Sequence, residues 1–147
     1  MRFAHTNIVS TDWKKLVEFY IEVFECQIVP PIRNQSGEFL DKGTGLRNAR
    51  LEGAHLKLPG YDTNFPTLEI YQYQTIEEQV PIAPNKRGFG HIAFEVESVE
   101  NILEKVLING GQKCGEITEK EIEGAGIITF TYVRDPEGNL IELQNWR

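Results

Sequence analysis

Sulfur and single-sign charge runs are scarce in this chain, whose 147 residues include two Cys and one Met. Cys26 and Cys114 stand far apart, and neither belongs to a Cys-x-x-Cys pair, so a zinc knuckle or a dithiol redox centre has no support. Two buried free thiols are the expectation. No Lys/Arg run exceeds the pairs Lys14-Lys15 and Lys86-Arg87, and the formal net charge is −7. That balance argues against a general nucleic-acid binder or an anionic-membrane binder. No stretch approaches the roughly 18 apolar residues of a membrane span, and the start, Met1 to Val9, is too short and polar for a signal-peptide core. The expectation is a cytoplasmic protein. What is present is a chain that is 40% apolar and 25% charged, which suits one domain of ordinary size with a real core and excludes a disordered or fibrous protein. Small molecules and other proteins remain as partners.

A repeat organises the sequence. Phe3-Ala4-His5-Thr6-Asn7-Ile8-Val9 and Phe89-Gly90-His91-Ile92-Ala93-Phe94-Glu95-Val96 each place a His in an alternating, strand-like run. A helical stripe comes after each: Trp13, Leu16, Val17, Tyr20, Val23 and Phe24 after a cap among Ser10, Thr11 and Asp12, then Val99, Ile102, Leu103, Val106 and Leu107 after Ser98. The second helix is stopped by Asn109-Gly110-Gly111. Each half closes with strands, 49–58 and 67–73 in the first and 127–133 and 140–146 in the second, the last two joined by the tight turn Asp135-Pro136-Glu137-Gly138-Asn139. The halves meet at a linker, 79–86, containing Pro81 and Pro84, and 34–45 reads as an irregular, Gly-containing loop over the site. Two helices and about eight strands predict an α+β fold in which sheets curve and helices cover one face.

Strand alternation then sorts the polar residues. His5 and His91 share faces with Phe3, Val9 and Phe89, opposite the apolar positions that pack under a helix. Glu69, in Leu68-Glu69-Ile70-Tyr71-Gln72, and Glu142, in Ile141-Glu142-Leu143-Gln144-Asn145, are each flanked by core-facing residues and project from the same non-helical side. Tyr71, Tyr73, Leu140 and Trp146 extend that lining, a largely apolar face with a few polar groups of the kind small molecules bind. Two neutral imidazoles and two carboxylates make a four-donor N/O set whose charge offsets a divalent cation. Such an ion polarises a carbonyl or stabilises an enediolate while a neighbouring carboxylate moves a proton. His55, in Gly53-Ala54-His55-Leu56-Lys57, is a candidate for the pocket lining, but it exceeds the four donors that the repeat provides and reads rather as an ordinary strand His.

These motifs resemble the vicinal oxygen chelate (VOC) superfamily, which includes glyoxalase I, methylmalonyl-CoA epimerase, extradiol dioxygenases, and fosfomycin or bleomycin resistance proteins. The resemblance covers nearly the whole chain and rests on His5-Thr6 with Glu18-Phe19-Tyr20, on 90–96 and on 135–143. It implies paired βαβββ modules forming a cupped mixed sheet with helices on the outer face, as a single domain 1–147 built of modules at about 1–78 and 87–147. It puts His5, Glu69, His91 and Glu142 on the metal-ligand positions, with one divalent ion per site, Zn, Ni, Co, Mn or Fe. Glu at position 69 resembles glyoxalase I more than the epimerase, where Gln is typical, and implies a lyase or isomerase with Glu142, or else Glu69, as the base. A small-molecule substrate and a homodimer are implied, with no nucleic acid and no membrane. The alternatives are a resistance protein that sequesters a small molecule, or another VOC chemistry such as epimerisation or dioxygenation. Two departures bear on glutathione: Val9 stands where bacterial glyoxalases commonly carry Arg, and 33–45 has no clear counterpart. Arg47 and Arg50 are candidates for a substrate anion, weighed against a plain solvent-facing role.

Overall fold

The computed structural model describes residues 1–78 and 80–147, so Gln79, the first residue of the predicted linker, lies outside the described residues. The chain divides into two compact units, Met1–Gln79 and Val80–Arg147. Both are α+β with a mixed sheet, as the repeat predicts.

The first unit runs β1 (His5–Val9), α1 (Trp13–Phe24), β2 (Gln27–Ser36), α2 (Glu38–Thr44), β3 (Arg50–Lys57) and β4 (Thr67–Tyr73). Its sheet has the order β1-β4-β3-β2, with β1 and β4 parallel and the other pairs antiparallel. Helix α1 starts where the Asp12 carboxylate accepts a hydrogen bond from the Lys15 backbone N–H (3.1 Å), filling one of the orphan donors of a first turn. Its stripe, including Leu16, Tyr20 and Val23, is buried along with Ala54, Leu56, Leu68 and Ile70 of the sheet it packs against.

The second unit runs β5 (Ile92–Glu95), α3 (Val99–Ile108), β6 (Gln112–Lys113), β7 (Thr118–Ile122), β8 (Gly126–Arg134) and β9 (Leu140–Trp146). Its sheet has the order β5-β9-β8-β6, with β7 also on β8 and only the β5–β9 pair parallel. Ser98 caps α3 by accepting from Asn101 N–H, while Val99 and Val106 are buried; Leu107, expected on the apolar stripe, is half exposed. The 135–139 turn is built as its sequence predicts. The buried Asp135 carboxylate accepts from the backbone of Glu137 and Asn139 and from the Asn139 amide, all at 2.9 Å, and Gly138 takes φ 87°. With no slack in that turn, the β8–β9 register is fixed.

Three expectations change. The 34–45 segment is not an irregular loop: β2 continues to Ser36, Gly37 turns the chain at φ 93°, and α2 then runs as far as Gly45 at φ 75°. Pro30 and Pro31 disguised the strand, because they cannot donate to a ladder, and the β2–β3 register shifts where they stand, between Val29 and Arg33. Helix α2 also departs from the outer face. Its Leu40 is buried with Ala49 and Leu51 and packs beside Tyr71 and Tyr73, and Leu51 faces Tyr73 across the strands on the side that carries Glu69. Finally, Cys26 is buried but Cys114 is exposed.

Leu56 is fully buried between strand neighbours and α1. Leu56→Ala is therefore expected to cost about 2–5 kcal/mol of unfolding free energy, measured by denaturant titration. Burial pushes the Cys26 thiol up to about 12. A chromogenic disulfide reagent at pH 8 should then titrate one thiol quickly, lost in Cys114→Ser, and reach the second only on unfolding; two fast thiols would contradict this burial.

Candidate functional site

The structure pairs His5 with Glu69 within the first unit and His91 with Glu142 within the second, at equivalent places in the repeat. In the first unit, Asn7 of β1 is the register partner of Glu69 on β4, and His5 lies two residues before Asn7 on the same face. His5 Nδ1 is 3.3 Å from Glu69 Oε1. In the second, Ala93 of β5 is the partner of Glu142 on β9, and His91 lies two residues before Ala93. His91 Nε2 is 2.9 Å from Glu142 Oε2. The side chains of Glu69 and Glu142 are only 11% and 15% exposed, whereas those of His5 and His91 are 49% and 33% exposed. In both units a nearly buried carboxylate is thus backed by the sheet and fronted by an accessible imidazole. Of the predicted lining, Tyr71 and Tyr73 are half-buried, Phe3, Val9 and Phe89 are exposed, and Leu140 is buried in the core.

The antiparallel neighbour of each carboxylate differs between the units. Glu142 faces Tyr132 of β8, whose hydroxyl hydrogen-bonds it and whose ring stands edge-on to His91 with centroids 5.1 Å apart. Burial, then the Glu142 charge, raises the Tyr132 pKa, so its proton stays on oxygen. Glu69 instead faces His55 of β3. His55 is therefore not an isolated strand His: its Nε2 is 3.3 Å from Glu69 Oε1 and 2.5 Å from Tyr71 Oη, and its Nδ1 is 3.3 Å from Arg33 Nη2. Burial, more than any other cause, lowers the His55 pKa; Arg33 and His5 push the same way, and Glu69 opposes them. Partial burial, then the Glu69 charge, pushes the Tyr71 phenol up to about 12.

Gly53 makes room for this arrangement. It is the register partner of Tyr71, and a Cβ built on it would collide with the Ile70 carbonyl oxygen and lie 2.6 Å from Tyr71 Cδ1. No side chain fits there without moving the phenol or the strand.

Sequence reasoning missed Arg33 and set His55 aside as an ordinary strand His. The signal for His55 was its alternation with Ala54 and Leu56, which puts it on the face opposite the core, but its partner depends on the β3–β4 register. Arg33 was hidden by the Pro30-Pro31 interruption. The two arginines offered for a substrate anion are placed differently: Arg47 and Arg50 are exposed, and Arg50 belongs to the face of β3 opposite His55. Among the described residues, no group of three or more His, Cys, Asp or Glu is disposed to hold a metal ion. The imidazoles of His5 and His55 meet one Glu69 oxygen as neighbours within hydrogen-bonding reach.

Known proteins share this arrangement of strands and helices. Similarity to the probable lactoylglutathione lyase of Synechocystis is 29% identity over 147 residues, covering 97% of this chain and 94% of that one. The lactoylglutathione lyase of Arabidopsis thaliana is 25% identical over 97% of this chain but only 43% of its own, so the chain spans less than half the length of that relative. Among solved structures, a glyoxalase family protein from Bacillus cereus shares the fold with a TM-score of 0.84 at 22% identity, covering 99% of this chain and 94% of that one. No helix among the described residues is long and apolar enough to cross a membrane. Residues 2–143 match the Glyoxalase/Bleomycin resistance protein/Dioxygenase superfamily, and the chain belongs to it.

Proposed function

We propose that the protein is a metal-dependent enzyme of the glyoxalase I-like lyase or isomerase type, moving a proton on the carbon beside a carbonyl of a small oxygenated substrate. One observation carries the reading: the same accessible imidazole and nearly buried carboxylate recur at equivalent positions in both units. A single pair is an ordinary surface contact, whereas a repeated pair on equivalent strands has the composition of a ligand set. The donors fit a divalent ion, since His nitrogen and carboxylate oxygen suit Zn, Ni, Co, Mn and Fe and the two carboxylates balance its charge. His5, Glu69, His91 and Glu142 would hold one such ion per site, and it would supply a Lewis acid for the substrate oxygen.

The remaining chemistry belongs to the chain. Glu142 accepts the substrate proton and returns it to the neighbouring carbon, with Glu69 as the companion carboxylate. Tyr132, hydrogen-bonded to Glu142 and holding its own proton, keeps that carboxylate aimed. The relatives named as lactoylglutathione lyases support the lyase class. The reading carries with it a cytoplasmic homodimer whose partner is a small molecule, without a part for nucleic acid or membrane.

Elemental analysis after loading should find about one ion per site in the wild-type protein, and His5→Ala or Glu142→Gln should fall well below it. Full retention in both variants would refute the ligand set. In deuterated buffer, the loaded protein should exchange the proton beside the carbonyl in at least one of a hydroxy-ketone, a thioester and a hemithioacetal. Glu142→Gln should slow that exchange by about 10²-fold or more. Tight binding with no exchange across the panel would replace the enzyme by a sequestering resistance protein.

A further inference from the structure

The first unit contains a chain of contacts that the proton chemistry does not use and that, among the described residues, has no equivalent facing Glu142: Arg33 to His55, His55 to Tyr71, and both of the latter to Glu69. Its direction is set by donor and acceptor inventories. A guanidinium has only N–H donors. With Arg33 Nη2 at 3.3 Å, His55 Nδ1 must be the acceptor, which puts the single proton of a neutral imidazole on Nε2. That N–H points at Tyr71 Oη, 2.5 Å away, and at Glu69 Oε1, 3.3 Å away. The Tyr71 oxygen, accepting from His55, is left to donate its own proton to Glu69, the bond that the pair forms. Every link therefore runs one way, from guanidinium to carboxylate, and ends on an acceptor-only group. Gly53 supports the same conclusion independently, because the strand gives up a side chain where the Tyr71 ring crosses it.

We propose that Arg33, His55 and Tyr71 are positioning residues that lock Glu69 in one orientation, His55 acting as an Nε2–H donor to the Glu69 carboxylate rather than as a ligand. The proposal rests on the reading of Glu69 as a metal-binding carboxylate and adds what holds it. It makes the two halves of the repeat unequal: beyond the His5 and His91 contacts that the halves share, Glu69 is fixed by an imidazole and a phenol, Glu142 by a phenol. An outer partner of this kind aims the ligand's lone pairs and favours the ionised carboxylate, and its removal typically weakens metal binding by about 10–100-fold.

The first measurement needs no metal. Long-range proton–nitrogen correlation spectra of the ¹⁵N-labelled apo protein, with the three His assigned by single substitutions, should show His55 protonated at Nε2 only. Arg33→Met should shift it toward the Nδ1–H form. A predominantly Nδ1–H imidazole in the wild-type protein overturns the proposal. The second measurement is Zn affinity by calorimetry on variants matched to wild type in thermal midpoint. His55→Leu and Tyr71→Phe should each bind about 10–100-fold more weakly, whereas His55→Gln, which keeps an N–H donor, should recover most of the loss. Unchanged affinity in both His55→Leu and Tyr71→Phe overturns the proposal, as does loss of the His55 Nε2 proton on Zn loading, which would make His55 a ligand. A wild-type protein that binds no metal defeats the enzyme reading instead, and the tautomer then decides the positioning claim alone.

Discussion

Everything at the candidate site depends on strand register. A carboxylate on β4 or β9 finds its imidazole because the parallel neighbour, β1 or β5, is paired so that a His two residues upstream falls on the same face. It finds its second partner because the antiparallel neighbour brings His55 opposite Glu69 and Tyr132 opposite Glu142. A slip of one residue in either pairing would turn the set onto the helix-packed side. The core resists that slip: Leu68 and Ile70 in one unit, Ile141 and Leu143 in the other, are all essentially buried. Two flanking residues would have to surrender their burial, worth about 1.5–3 kcal/mol each, before either Glu could change face. Hydrophobic packing on one side of the sheet thus specifies the polar arrangement on the other.

The repeat is close in backbone and loose in chemistry. Both units share the parallel pair, the capped helix over the sheet and the His–Glu contact. They differ in the residue facing each carboxylate and in the segment after the helix: the first unit inserts α2 between β2 and β3, whereas the second has only the two-residue β6 before β7. Duplicated folds commonly keep what packs and vary what touches solvent, since core positions constrain one another in volume while surface polar groups answer only to their local partners. Here that freedom has placed a partly buried imidazole opposite one carboxylate and a phenol opposite the other, giving two carboxylates of unlike surroundings from one architecture.

Local signals made most of this visible in the sequence. Ser98 and a cap among Ser10, Thr11 and Asp12 announced the two long helices, alternation and flanking turn residues delimited 67–73 and 140–146, and the 135–139 turn carried its geometry in its residue types. The faces of His5, Glu69, His91 and Glu142 came from period two. What stayed hidden depends on non-local pairing. The Pro30-Pro31 interruption concealed β2, and with it the strand pairing that brings Arg33 to His55. Helix α2 is too short for a periodic pattern to emerge and is bounded by two glycines, which read as loop. The exposure of Cys114 was equally unreadable, because residue type carries only an average burial.

Gly53 sets a limit on how this site can vary. The Tyr71 phenol and the backbone of β3 lie closer than any side chain would allow, so a substitution at 53 would have to displace one or the other. Disturbing that contact would reach Glu69 through Tyr71 without altering a polar atom. The first unit's chemistry is in this sense written partly in a missing methyl group: a residue that offers no side-chain donor, acceptor or charge determines whether those that do can meet.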